Sequence, residues 1–181
     1  MSRILLGAVV WFLLFPITNQ PVHGTEFSED QIKAVYLFNF AEFIRWPDSA
    51  FTEHPEAFHF CALNEQSSII RILKKVINGE TAGARKLVFR RINNQDDLKG
   101  CQLVYFQASE QSKLAGLLPK LKMRNILTVG DTEDFAKRGG MIGIARHNRH
   151  LHPVINVQRL KQAGLKASAK LLRLAFVVDG E

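Results

Sequence analysis

From Ile32 to Trp46 apolar side chains fall on almost every face of a helical wheel, interrupted only by Lys33, Asn39, Glu42 and Arg45. Ser28-Glu-Asp-Gln31 ahead of this run is a capping-box pattern and Pro47 cannot continue a helix, which predicts a helix from Ser28 to Trp46. A helix apolar all round must be covered all round, by its own domain or by a second copy of the chain. Further along, the faces separate. Phe58 to Leu63 reads as a strand. Ser67 to Ile77 reads as a helix with Ile69, Ile70, Ile72, Leu73, Val76 and Ile77 on one side, Arg71, Lys74 and Lys75 on the other, and Asn78-Gly79 as its stop. Lys86 to Ile92 and Gln102 to Phe106 are strands, the second apolar enough to be buried on both faces. A helix from Glu110 to Lys122, interrupted by Pro119, leads to a strand Ile126 to Val129 and the turn Gly130-Asp131-Thr132. A brief helix Glu133 to Lys137 stops on Gly139-Gly140. Met141 to Ala145 and Val154 to Val157 are strands joined by a basic turn. A helical region from Gln158, broken near Gly164, closes the chain with Leu171, Leu172, Leu174, Ala175 and Val178 on one side. Strands alternating with helices predict one layered α/β domain with a parallel or mixed sheet, covering residues 25–181.

The residues before that domain change its setting. Arg3 precedes an unbroken apolar run from Ile4 to Phe15, and the stretch ends on Val22-His23-Gly24, the pattern of a secretory signal peptide over residues 1–24 cleaved near Gly24. The run is well short of the roughly 20 residues a helix needs to cross a bilayer, so a permanent anchor is the weaker reading. The formal net charge is +7, and Arg3 is the leader's one charge. In a cytosolic protein such an excess would suggest nucleic acid as a partner, but export removes that class. An acidic protein face, an anionic membrane surface or an anionic small ligand remain, beside a merely solvated basic surface. Cys61 and Cys101 are the only cysteines. An oxidising compartment favours a bridge between them, with two separate buried thiols as the alternative.

Candidate chemistry is sparse. His147, His150 and His152 crowd three imidazoles into one stretch, but Arg146 and Arg149 would set cations beside any metal ion and no acid lies near to offset them. The segment therefore reads as a solvated basic hairpin turn, and neither metal nor cofactor is expected. Gly130-Asp131-Thr132-Glu133-Asp134 joins a strand to a helix, where α/β folds often bind ligands. Asp131 or Thr132 as a helix N-cap is the simpler reading. There is no Gly-x-Ser-x-Gly elbow, phosphate loop, His-Glu-x-x-His or glycine-rich dinucleotide fingerprint. Binding is expected rather than catalysis.

Several segments in order resemble one family. They are Ala34-Val-Tyr-Leu-Phe-Asn-Phe-Ala-Glu-Phe-Ile-Arg-Trp-Pro47, the two cysteines with their strands, Leu127-Thr-Val-Gly-Asp131, Phe135-Ala-x-x-Gly-Gly-Met-Ile142, Ile155-Asn156, and Gly164-Leu165 through Leu171-Leu-x-Leu-Ala175. Together they are similar to the YfiR family of bacterial periplasmic proteins. The resemblance implies a Rossmann-like layered fold with a mixed, mostly parallel sheet and flanking helices, in a homodimer whose second copy would cover the first helix. It implies a non-catalytic regulator that binds the periplasmic part of a membrane-bound diguanylate cyclase and represses it, lowering cyclic di-GMP and with it biofilm and exopolysaccharide output. An outer-membrane protein that sequesters the regulator, or a redox change, would release the cyclase. The pair Cys61 and Cys101 matches the family's buried bridge, while a second pair found in some relatives is missing. Relatives often carry a basic residue at Glu42 and an acidic one at Arg45, so the partner's identity is open. The nominated partner or dimer interface is Tyr36, Phe40, Phe43, Arg45 and Trp46, with Arg45 and Arg146 as anion contacts. A periplasmic small-ligand carrier or sensor, using the carboxyl ends of the strands, is the second reading.

Overall fold

In the computed structural model, which describes residues 27–93, 96–110, 116, 118, 121 and 124–178, the capping box begins helix α1, Glu29–Phe43. The Gln31 N–H donates to the Ser28 hydroxyl at 3.2 Å, and the Ser28 N–H donates to the Gln31 side chain at 2.7 Å. The helix stops at Phe43 and not at Trp46. Ile44–Arg45 forms a short strand, β1, paired antiparallel with β9, Lys166–Ala167, and the Phe43 carbonyl accepts the Ser168 N–H at 2.8 Å. Trp46, which precedes Pro47, is also the position a proline drives out of helical backbone. The leader expected over residues 1–24 lies outside the described residues.

The main elements that follow are β2 (Ala57–Ala62), α2 (Ser68–Val76), β3 (Thr81–Ala82), β4 (Arg85–Arg91), β5 (Leu103–Phe106), β6 (Leu127–Gly130) and α3 (Asp134–Lys137). Then come β7 (Ile142–His147), β8 (His150–Asn156), α4 (Val157–Gln162), α5 (Ala169–Leu174) and β10 (Phe176–Val178). Eight strands form one sheet in the order β10-β8-β7-β6-β5-β2-β4-β3, every pair parallel except the two hairpins β3–β4 and β7–β8. This is the mixed, mostly parallel layered sheet that the pattern predicts. β5 lies at its centre and is buried along its whole length, as its composition requires.

Two further expectations change. β7 and β8 are longer than the apolar pattern and meet at a two-residue turn, Asn148-Arg149, with φ of 46° and 69°, the left-handed pair that a tight hairpin needs. The chain does not end in one helix. Ala175 turns extended after α5, and Phe176-Val177-Val178, better suited to a strand, pairs parallel with β8. Leu171 is therefore buried while Leu174 and Val177 are exposed, and the five residues expected on one helical side are divided. Of the helix expected over Glu110 to Lys122, Gly116, Leu118 and Leu121 are helical and most of the remainder lies outside the described residues.

Cys61 on β2 and Cys101 just before β5 are joined in a disulfide across a sequence separation of 40. The bridge packs with Ile92, Leu98, Val104 and Phe106 on one face of the sheet. The larger core, with α1 and α2, fills the other.

Candidate functional site

Where β5 and β6 end, the chain places a buried polar cluster under the start of α1. Asp131 follows β6 directly, and its Oδ2 accepts the Tyr105 hydroxyl at 3.3 Å. Lys33, only 7% exposed, sets its ammonium 3.9 Å from the same oxygen and 2.7 Å from Glu29. The other Glu29 oxygen accepts from Arg146 on β7. One turn earlier, the Ser68 hydroxyl of α2 donates to Asp30. A buried ammonium is tolerated only when it is paired, so this chain of contacts fixes the register of α1 on the sheet. Asp131 therefore does not cap α3, whose cap position is Glu133 and carries no side-chain cap bond. The Lys33 bond, then the Arg146 bond, holds the Glu29 carboxyl below its ordinary range. Burial first, and the Asp131 carboxylate second, pushes the Tyr105 phenol far up, so its proton stays in place. The cluster anchors; it offers no activated nucleophile.

The anchored helix turns Ala34, Leu37, Phe40 and Ala41 inward. Outward, Phe27 and Val35 are exposed, 70% and 47%, and with Gln31, Ile32, Tyr36 and Asn39 they line an open groove of about 420 Å³. The structure distributes the nominated residues unevenly around it. Tyr36 lies in the groove, half-buried, its hydroxyl donating to the Leu151 carbonyl at 2.9 Å. Phe40 is fully buried and stands behind the face, which corrects its nomination as a contact. Phe43 lies 5.0 Å beneath the Lys170 ammonium, and the Trp46 indole donates to the Gln102 carbonyl at 3.2 Å with its ring edge-on to Phe58. Arg45 is exposed on β1, about 20 Å along α1 from Arg146 at 1.5 Å per residue. Arg146 is engaged by Glu29 beside the start of α1, while Arg45 stands past its other end. Phe27 and Val35 were missed because an all-round apolar wheel does not say which side the sheet will take. The polar spacing Gln31 and Asn39 around Val35 was the one available signal.

Two histidines of the β7–β8 hairpin lie against β10. His147 and His152 rings lie 5.1 and 5.3 Å from Phe176, and His147 to His150 are exposed. Among the described residues no group of three or more His, Cys, Asp or Glu could hold a metal ion. On the other half of the sheet, β2 and β5 are neighbours whose onward connections leave in opposite directions, the switch point where α/β sheets open a crevice. Asn64, Glu65, Gln66, Arg91, Ser109 and Glu110 line a depression of about 420 Å³ there. Glu65 is paired with Lys74 at 3.0 Å and Arg91 at 3.7 Å.

A search of curated proteins finds no match. Solved structures share the fold. A conserved domain protein from Vibrio cholerae has a TM-score of 0.53 at 11% identity over 80% of this chain and 59% of its own. The ABC domain from Streptococcus pneumonia, solved with L-Trp, has 0.53 at 8% over 82% and 60%. A substrate binding protein with adhesive properties from Clostridium difficile, ligand-free and open, has 0.50 at 10% over 74% and 59%. This chain spans about three fifths of their length, and identities this low show the fold alone. The model of the YfiR/HmsC-like family matches residues 30–176, from the first turn of α1 to β10, and the chain belongs to that family.

Proposed function

We propose that this chain is an exported periplasmic regulator, without catalysis of its own, that binds the periplasmic part of an inner-membrane diguanylate cyclase and represses it. The match to the YfiR/HmsC-like family across the whole described domain carries this reading. Repression of this kind is a population shift: the regulator prefers the inactive form of the cyclase, and whatever sequesters the regulator frees the enzyme. The groove on α1, with Tyr36 in it, is the face assigned to the cyclase or to a second copy of the chain, and Phe43, Arg45 and Trp46, further along the chain, are kept as contacts beyond it. An outer-membrane partner competing for that face would act as the release. In this reading the regulator stays on the periplasmic side, so its effect on a cytoplasmic catalytic part passes through the partner; no helix among the described residues is long and apolar enough to cross a membrane.

Deleting the gene while the neighbouring cyclase is expressed is expected to raise cyclic di-GMP and biofilm output, with complementation restoring both. An unchanged cyclic di-GMP level overturns the reading. The crevice at the switch point favours a second reading, a periplasmic small-ligand carrier or sensor. A stoichiometric ligand retained in native mass spectrometry, and lost on Arg91→Ala, would support it.

A further inference from the structure

His59 stands in the middle of β2, two residues before Cys61 and so on the same face of the sheet as the disulfide, and it is 8% exposed. Its ring bonds to the Gly100 backbone, while its Nδ1 atom is buried and has no hydrogen-bond partner among the described residues. A neutral imidazole can leave one nitrogen as a bare acceptor. An imidazolium must donate from both, so a proton taken up here would bury a charge together with an N–H that has no acceptor. The neighbours deepen the conflict. The His54 ring lies 4.6 Å away, centroid to centroid. Arg90, which pairs with Cys61 across the β2–β4 ladder, donates to the Asp97 carbonyl at 2.6 Å, to the Lys99 carbonyl and to the Cys101 sulfur at 3.1 Å. Lys86 is the other cation on that face of β4, and Lys99 is exposed before β5. Glu53 and Glu56, in the loop before β2, are exposed, and the pull of Glu56 on the ring is weaker than the opposing effects of burial, His54 and Arg90. Burial first, then His54 and Arg90, holds the ring below the ordinary histidine range. Two stretches close over it: residues 52–56 bring His54, and Gly100 comes so near that a side chain there would meet His54 at 2.9 Å.

We propose that His59 is an acid-sensitive latch: when its ring takes up a proton, residues 52–56 and 97–101 part from β2 and open the face of the sheet that carries the Cys61–Cys101 bridge. The added proton has no partner while the ring stays in place, and the imidazolium repels the same guanidinium that ties residues 97, 99 and 101 together. β2 itself is held by ladders on both sides, to β4 and to β5, so the covering loops yield and the strand does not. Because closure lowers the proton affinity of His59, its contribution is fully present above the ordinary value of 6.5 and is lost as the pH falls through the value of the closed form. The latch does not depend on the cyclase reading, since it is a charge placed against a bistable pair of loops and requires no particular partner.

The test follows the mature chain, His59→Gln and His54→Gln from about pH 7.5 to about pH 5 by hydrogen exchange, corrected for the intrinsic pH dependence of amide exchange. In the wild type the opening constant of residues 52–56 and 97–101 should rise by up to about tenfold per pH unit on acidification, the slope of one proton taken up, while α1 and α2 keep their protection. His59→Gln, whose amide can still donate to the Gly100 backbone but takes up no proton, should change less than about twofold over the same range. His54→Gln should shrink the total response, because it removes one of the groups that disfavour the charged ring. An NMR titration of the wild-type imidazoles needs no variant and is expected to show His59 neutral for as long as the loops stay closed. His59 signals that titrate near the ordinary value with residues 52–56 and 97–101 still protected overturn the proposal. So does an acid response in His59→Gln as steep as in the wild type, an opening constant that does not change with pH, or acid opening confined to other elements.

Discussion

Glu29 joins two parts of the molecule that are distant in sequence, holding Lys33 with one carboxylate oxygen and Arg146 with the other. Because those bonds depress its folded pKa, the stability it contributes is fully present above the unfolded value and is lost as the pH falls through the folded one. Glu29→Gln should therefore be less stable near pH 7, and the difference should shrink at an acid pH below the usual carboxylate range. With the Glu29 side chain 39% exposed, solvent screening keeps the effect at about 1 kcal/mol or less. Urea unfolding at both pH values reads it, and a difference that persists in acid would mean the role of Glu29 is not electrostatic. In the sequence Lys33 looks like a polar break in an apolar helix, and Asp131 looks like a cap. Their roles come from meeting each other, across a separation that no local pattern records.

For single elements the local signals were strongest at the helix starts. Ser28, Ser67 and Ser168 each accept a backbone N–H three residues on, at α1, α2 and α5. Replacing Ser28 by alanine removes the hydroxyl half of the capping box and is expected to cost about 1 kcal/mol, seen as a lower urea midpoint with an unchanged slope. No loss would place the anchoring of the first turn in the ion pairs instead. The helix stops were harder to read. α1 ends early because Ile44 and Arg45 pair with Ala167 and Lys166, partners supplied by the far end of the chain. The last helix ends early for a related reason, since the open side of β8 offers Phe176 to Val178 a ladder of backbone hydrogen bonds.

At the scale of the molecule, the bridge between Cys61 and Cys101 ties β2 to its neighbour β5. Closing a loop of 40 residues stabilises the fold by about 4 kcal/mol in the chain-entropy model, so the double variant with both cysteines changed to alanine should lose roughly that much in urea unfolding. A loss below about 1 kcal/mol would show that the packing around the sulfurs, and not the cross-link, carries the stability. The fold class, most of the strands and helices, the capping box and the family were all legible in the sequence by itself. Each rests on periodicity, turn chemistry or motif order, which are properties of neighbouring residues. The tertiary structure alone decided which face of α1 stays open, that Lys33 is buried against Asp131, and that the strands of the stretch from Phe135 to Val178, whose charged residues are all lysine or arginine, are gathered at one end of the sheet. Those outcomes depend on which distant segments pack together, and an apolar wheel without a polar side, or a run of cations without a place in the sheet order, does not contain that information.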